Sequence, residues 1–308
     1  MLSDILQVIT GLFLLYFGGE FLVTGAEKLG RKIGFSGLIV GIVIVAFGTS
    51  APELAVSLDA ALTDNPDIAL TNILGSNLAN IGLVLALTTF IGGVMISRDL
   101  FKIDLSSMII GFIAVAYFLI DNQLSRIEGI LLLAGLISYI TFRIKTLKHT
   151  GTATSVNNLP NSNTLRNCLL VIIGFGMLAI GGDVLVSGAS ALAKDFGVSK
   201  AVIGFTIVAI GTSLPEIAAS IAAVRMGHGE IAIGNVVGSN IWNSFGVFGI
   251  TASIAPLTGQ NIPSHMIYAM LIAGLILWGF CLVSARLKLV HGLILISGYF
   301  GYMIFAVL

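Results

Sequence analysis

The sequence predicts an all-α membrane protein of ten transmembrane helices, arranged as two inverted five-helix repeats. Three observations carry that prediction. Of 308 residues, 56% are hydrophobic and only 10% charged, with a mean hydropathy of +1.04, whereas a water-soluble domain carries about 25% charged residues. Ten apolar runs, centred near residues 15, 48, 80, 112, 136, 178, 211, 243, 275 and 298, approach the ~20 residues that a bilayer crossing needs. Finally, Gly48-Thr49-Ser50-Ala51-Pro52-Glu53 recurs as Gly211-Thr212-Ser213-Leu214-Pro215-Glu216.

The offset of 163 between those copies holds well beyond them. It pairs Asn72, Gly75, Ser76, Asn77 and Asn80 with Asn235, Gly238, Ser239, Asn240 and Asn243, and Gly18, Gly19 and Gly25 with Gly181, Gly182 and Gly188. A duplicated segment from about residue 18 to about residue 83 has kept its register without a gap. Five spans per half is an odd number, so the second copy enters the membrane from the opposite side, an arrangement common in secondary transporters.

Taken in chain order, the first apolar run begins almost at Met1 without a basic leader or a small-residue cleavage pattern, and is read as the first span. The first five-helix repeat is expected over 1–146, with its core motif at 34–83. A polar stretch rich in Thr, Asn and Ser, 147–164, reads as a cytoplasmic linker. The second repeat is expected over 165–308, with its core motif at 197–246. With the linker in the cytoplasm, that side holds Lys28, Arg31, Lys32, Arg98, Lys102, Arg143, Lys145, Lys148, Arg166, Arg225, Arg286 and Lys288, against Arg126, Lys194 and Lys200 outside. A 12-to-3 split of this kind places both termini outside by the positive-inside rule.

Composition also excludes functions. Fifteen basic and fifteen acidic residues balance to zero, so no nucleic-acid partner is implied, and nothing calls for an obligatory protein partner beyond the lipid around the spans. Cys168 and Cys281 lie in apolar stretches with no metal-ligand or redox spacing, and no cofactor is expected. The four histidines, at 149, 228, 265 and 291, fall at loops or span ends. No Ser/His, Cys/His or His-rich constellation accompanies the buried acids, which argues against an enzyme. A remote alternative keeps Glu53 and Glu216 as the acid and base of an intramembrane enzyme.

Glu53 and Glu216 sit well inside apolar runs, where an ionised group costs at least ~2.5–3.5 kcal/mol. With no intramembrane Lys or Arg close in sequence, the simplest partner is a mobile cation. Pro52 and Pro215 lack an N–H and clash with the carbonyl four residues back, which frees the carbonyls of Gly48 and Gly211 at membrane depth. Freed carbonyls there must be re-satisfied or line a cavity, and hard cations take such oxygen ligands. Ser76 and Asn80, and likewise Ser239 and Asn243, are four residues apart on one helix face. Asn77 and Asn240 lie off that face, where helix tying and ligation are both open. Asp59, Asp64 and Asp67 read either as an outer vestibule or as solvated loop charge.

At these residues the chain resembles the calcium/cation antiporter superfamily, in its sodium/calcium exchanger-like prokaryotic (YrbG-type) branch. The resemblance spans nearly the whole chain and rests on the doubled Gly-Thr-Ser-x-Pro-Glu and Gly-Ser-Asn-x-x-Asn motifs. It implies a site at mid-membrane built by the second, third, seventh and eighth spans. Glu53 and Glu216 would be shared by Ca²⁺ and Na⁺, with Thr49, Ser50, Thr212 and Ser213 completing the shell. Ser76 and Ser239 would be side-chain ligands of flanking Na⁺ sites, and the carbonyls of Ala46 and Ala209 backbone ligands. Asn80 and Asn243 stand where potassium-dependent relatives carry Asp, which argues against K⁺ co-transport. The first and sixth spans are expected to slide across this core as a gate. The implied function is a secondary active antiporter exchanging Ca²⁺ for Na⁺ by alternating access. Its alternatives are an H⁺-coupled antiporter of the same architecture and a passive channel.

Overall fold

The computed structural model describes residues 1–149, 163–197, 209–259 and 264–307, and they are mostly helical. In chain order the elements are α1 (Leu2–Lys32), α2 (Gly37–Leu62), α3 (Pro66–Ile91), β1 (Val94–Met95), α4 (Leu100–Asp121), β2 (Gln123–Leu124) and α5 (Arg126–His149). The second half follows with α6 (Thr164–Asp195), α7 (Leu214–Arg225, after a short turn Ala209–Gly211) and α8 (Gly229–Ile241 running on through Trp242–Val247 and Phe248–Ile254). It ends with β3 (Leu257–Thr258), α9 (Ser264–Val283), β4 (Arg286–Leu287) and α10 (Leu289–Val307).

Among the described residues, eight helices are long and apolar enough to cross a membrane. They are α1 to α6, α9 and α10. α7 follows residues 198–208, which lie outside the described set, and α8 matches α3 in length but has five glycines to its two and no leucine. The predicted linker falls largely on 150–162, also outside the described residues.

Elements recur at the 163 offset well past the segment the sequence displays. Ala51–Leu62 maps onto Leu214–Arg225, β1 onto β3, β2 onto β4, and the start of α5 onto the start of α10. The strands do not pair within their own half. β1 pairs with β4 (Val94 opposite Leu287) and β2 with β3 (Leu124 opposite Leu257), antiparallel in both cases. Adding 163 turns one pairing into the other, so the two ribbons are equivalent staples between the halves.

α1 and α6 lie antiparallel against each other through glycines spaced seven apart: Gly11, Gly18 and Gly25 on one, Gly174, Gly181 and Gly188 on the other. A Cβ at Gly11 would stand 2.7 Å from the Leu185 backbone nitrogen, and one at Gly25 2.7 Å from the Asn167 carbonyl. Small residues of this kind let membrane helices approach backbone to backbone. α3 is the most enclosed of the eight apolar helices, with 83% of its apolar window buried against 17–50% for the others. It packs with α2, α8 and α9 at the centre. α2 and α8 also touch through their backbones, because a Cβ at Gly234 would stand 2.5 Å from the Leu38 carbonyl and one at Gly238 2.7 Å from the Ile42 Cα.

One charged cluster is buried away from that centre. Asp104 of α4 accepts from Tyr139 Oη (2.8 Å) and Arg143 Nη2 (3.0 Å) of α5, and Arg143 is itself only 3% exposed. Its counterparts at the offset are Ile267, Tyr302 and Ala306, so the second half has no such pair.

Candidate cation site

The helix break in α2 falls at Ser50 (φ −84°, ψ 2°) and that before α7 at Ser213 (φ −90°, ψ 3°). Each proline then occupies the first turn of the new helix, where a missing N–H costs nothing, and each glutamate sits in that turn. In this position a negative side chain faces the positive end of a helix dipole. Sequence reasoning expected the prolines to free the carbonyls of Gly48 and Gly211; the break itself falls two residues on, at the serines, because proline is favoured at the start of a helix and not within one.

Glu53 and Glu216 are both fully buried, as are Thr49, Ser213, Ser239, Asn80 and Asn243, while Ser50 and Ser76 are 3% exposed. Thr212 is half-buried. Ser76 donates to Glu53 Oε1 at 3.1 Å and accepts from Asn243 Nδ2 at 3.3 Å, which joins α2, α3 and α8. Thr49 Oγ1 donates to Asn235 Oδ1 at 3.0 Å and lies 3.3 Å from Ser239 Oγ, which joins α2 to α8. Asn235, which accepts from Thr49, also donates to the Glu216 carbonyl at 3.4 Å, which brings α7 to the same place. Residues from both halves, far apart in sequence, therefore converge on one buried polar centre.

What the centre leaves unsatisfied is its main chemical signature. Glu53 Oε2, both carboxylate oxygens of Glu216, Ser50 Oγ, Ser213 Oγ, Asn243 Oδ1 and both amide atoms of Asn80 are buried without a hydrogen-bonding partner among the described residues. A buried polar atom left unpaired costs ~1–3 kcal/mol, more when charged, and seven of these eight atoms are oxygens. An oxygen-rich donor set with two carboxylates fits a hard cation, which takes about six to eight oxygens in the case of Ca²⁺. No basic side chain among the described residues pairs with either glutamate.

The remaining expected ligands divide. The Ala46 carbonyl accepts from Ser50 N at 3.0 Å, and Thr49 Oγ1, whose one proton is directed to Asn235, lies 3.4 Å from it, so the backbone bond engages one of its two lone pairs. Ala209 opens the short turn before α7, and its side chain lies outside the described set. Asn77 donates to Ser244 Oγ at 3.3 Å and Asn240 to the Val236 carbonyl at 2.8 Å; these ties take each amide nitrogen away from the glutamates. Asp59 and Asp64 are exposed, and Asp64 and Asp67 line a separate surface hollow of about 350 Å³.

The roles of several neighbouring residues escaped the sequence reading. Asn72 donates to the Glu53 carbonyl (3.4 Å) and Ser57 Oγ (3.0 Å), and Asn235 repeats this with the Glu216 carbonyl (3.4 Å) and Ser220 Oγ (2.9 Å). These asparagines brace the glutamate-bearing turns. Ser57 and Ser220 follow each glutamate by four residues, so the spacing held the signal. Phe175 of α6 has its ring directly over Gly48, and Gly19 of α1 lies against the Ala218 carbonyl of α7, 2.8 Å from where its Cβ would be. The α1–α6 pair thus covers the site.

Comparison with known proteins gives the chain a family. The chain matches the family described as sodium/calcium exchanger protein over residues 3–145 and 167–308. It is 34% identical to the inner membrane protein YrbG of Escherichia coli (strain K12), over 90% of each chain. With the sodium/calcium exchanger MaX1 of Methanosarcina acetivorans it shares 28% identity over 98% of this chain and 97% of that one. A solved structure of the sodium-calcium exchanger NCX_Mj, soaked with Na⁺ and Sr²⁺, superposes with a TM-score of 0.86 at 31% identity and covers 98% of both chains.

Proposed function

Because the chain belongs to the sodium/calcium exchanger protein family, we propose that this multi-pass membrane protein exchanges Ca²⁺ for Na⁺ by alternating access at the Glu53–Glu216 centre. The observation that carries the reading is the ring of buried, unpartnered oxygens contributed by both halves. Two carboxylates neutralise one Ca²⁺ or hold two or three Na⁺, so the two cargoes compete for the same charge and cannot all be bound together. Exchange follows if the empty, doubly negative centre does not readily change sides. Ser50, Ser213, Asn80 and Asn243 supply neutral oxygens, with Thr49, Thr212, Ser76 and Ser239 beside them and the carbonyls of Ala46 and Ala209 as the backbone contribution.

The architecture proposed for this activity is ten spans in two inverted halves, 1–146 and 165–308, joined by a cytoplasmic stretch at 147–164, with both termini outside. The crossed ribbons support it: β1 follows three helices and β4 nine, β2 four and β3 eight, so each pair meets on one membrane face. The protein acts as a transporter, not an enzyme, with Ca²⁺ and Na⁺ as cargo.

Isotopic ⁴⁵Ca²⁺ uptake into proteoliposomes, with Na⁺, K⁺ and H⁺ gradients imposed separately, tests the reading. Uptake driven by an outward Na⁺ gradient alone is the expected result. Uptake driven by the pH gradient and indifferent to Na⁺ would put H⁺ in the place of Na⁺. Flux that proceeds with no counter-ion would mean a channel.

A further inference from the structure

α3, α9 and α10 leave a hollow of about 220 Å³ whose walls include Leu78, Gly82, Ala273, Ile276, Gly298 and Tyr299. Ile272, Ile276 and Ile294 are exposed around it, so it opens toward the hydrocarbon of the bilayer. Apolar cavities in proteins stay dry, and one of about 150 Å³ already admits benzene. An unfilled hollow forfeits dispersion contacts along its whole lining.

The internal repeat supplies the control. The 163 offset places Gly82 on Phe245 and Gly298 on Gly135. In the first half the corresponding space, between α4, α5 and α8, is filled by the Phe245 ring. A Cβ on Gly135 would stand 2.9 Å from that ring and one on Gly111 2.8 Å. At Gly298 no described atom lies within 4 Å of the place a Cβ would take. At Gly298 the second half has no such ring, while Gly274, the mate of Gly111, packs against Phe112, 3.0 Å from where its Cβ would be, and Gly82 against Tyr299.

The far end of the hollow differs in the same sense. Tyr139 in the first half is tied to Asp104 and Arg143, whereas its counterpart Tyr302 bonds only to the ring of His265, at 3.2 Å, among the contacts described. The two charged positions are Ile267 and Ala306 in the second half.

We propose that this hollow binds one acyl chain of a membrane phospholipid, which takes the place that Phe245 holds in the first half. Leu78 and Gly82 each follow a cargo-site residue, Ser76 and Asn80, by two positions, so the bound chain props the outer side of the helix that carries them.

The test uses the full-length protein reconstituted with a phosphatidylcholine that carries a photoactivatable diazirine in mid-chain, followed by peptide mapping. Labelling is expected to concentrate on residues 294–302 and 269–276, and to be weak on their repeat mates 131–139 and 106–113. Gly298→Phe should abolish the labelling at 294–302 and leave that on other lipid-facing segments intact, and its folding is checked by thermal unfolding. Should that variant fail to fold, the wild-type pattern alone decides. Equal labelling of the two halves would reduce the site to general lipid contact and overturn the proposal. Cross-linking of this face to a second copy in place of lipid would overturn it as well.

Discussion

Glu216→Gln removes one negative charge and keeps the shape of the side chain, and the structure allows the effect to be estimated. Neither carboxylate oxygen of Glu216 has a hydrogen-bonding partner among the described residues, whereas Glu53 Oε1 accepts from Ser76 Oγ. A bound cation is therefore the main compensation available to Glu216. Removing one member of a buried charge pair costs about 3–5 kcal/mol. At ~1.4 kcal/mol per tenfold, Ca²⁺ affinity should fall roughly 100- to 4,000-fold. The Coulomb energy scales with the cation charge, so Na⁺ binding should lose about half that free energy, a fall of roughly 10- to 60-fold. Preference then moves toward Na⁺. Calorimetric titration of the purified variant measures both affinities, and ⁴⁵Ca²⁺ flux in proteoliposomes should be abolished. A folded variant whose Ca²⁺ affinity stays within ~3-fold of wild type, under 1 kcal/mol, would refute the argument. So would equal losses for Ca²⁺ and Na⁺.

Three further outcomes are expected. Asn235→Ala loses bonds to the Glu216 carbonyl, Ser220 and Thr49, and Asn72→Ala loses only those to the Glu53 carbonyl and Ser57; at ~0.5–1.5 kcal/mol each, denaturant unfolding should rank Asn235→Ala as the more damaging. Gly234→Leu must push α8 away from the Leu38 carbonyl and should abolish Na⁺-driven uptake, while Gly176→Leu, with no described atom within 4 Å, should transport as wild type does. Arg143→Met strands Asp104 as a buried charge and should cost about 3–5 kcal/mol in thermal unfolding, most of it recovered in the Asp104→Leu, Arg143→Met double variant.

Much of this was legible in the sequence, because a membrane interior makes polar residues conspicuous. Glu53 and Glu216 announced themselves by their setting, and the fixed offset tied Ser76, Ser239, Asn80 and Asn243 to them. The bracing role of Asn72 and Asn235 was hidden because it depends on which carbonyl each amide meets across a helix interface. The widened turns at Asn80–Leu85 and Trp242–Val247 call for no particular residue type, so no pattern marks them. Two-residue strands such as Val94–Met95 are too short to show alternation. Phe175 could not be picked out among 18 phenylalanines without knowing that its ring rests on Gly48. Asn77 and Asn240, left open between helix tying and ligation, bond to unrelated partners, because the halves have diverged there.

The strand exchange between the halves bears on how such a chain arose. Each half on its own would present two bare strand edges, an unmated glycine seam along its first helix, and one carboxylate with no opposing one. A half-length chain could meet those needs only by assembling with a second copy of itself. Within one polypeptide each side is free to diversify, and the buried pair at Asp104 and Arg143, which the matching positions of the second half lack, is one such difference.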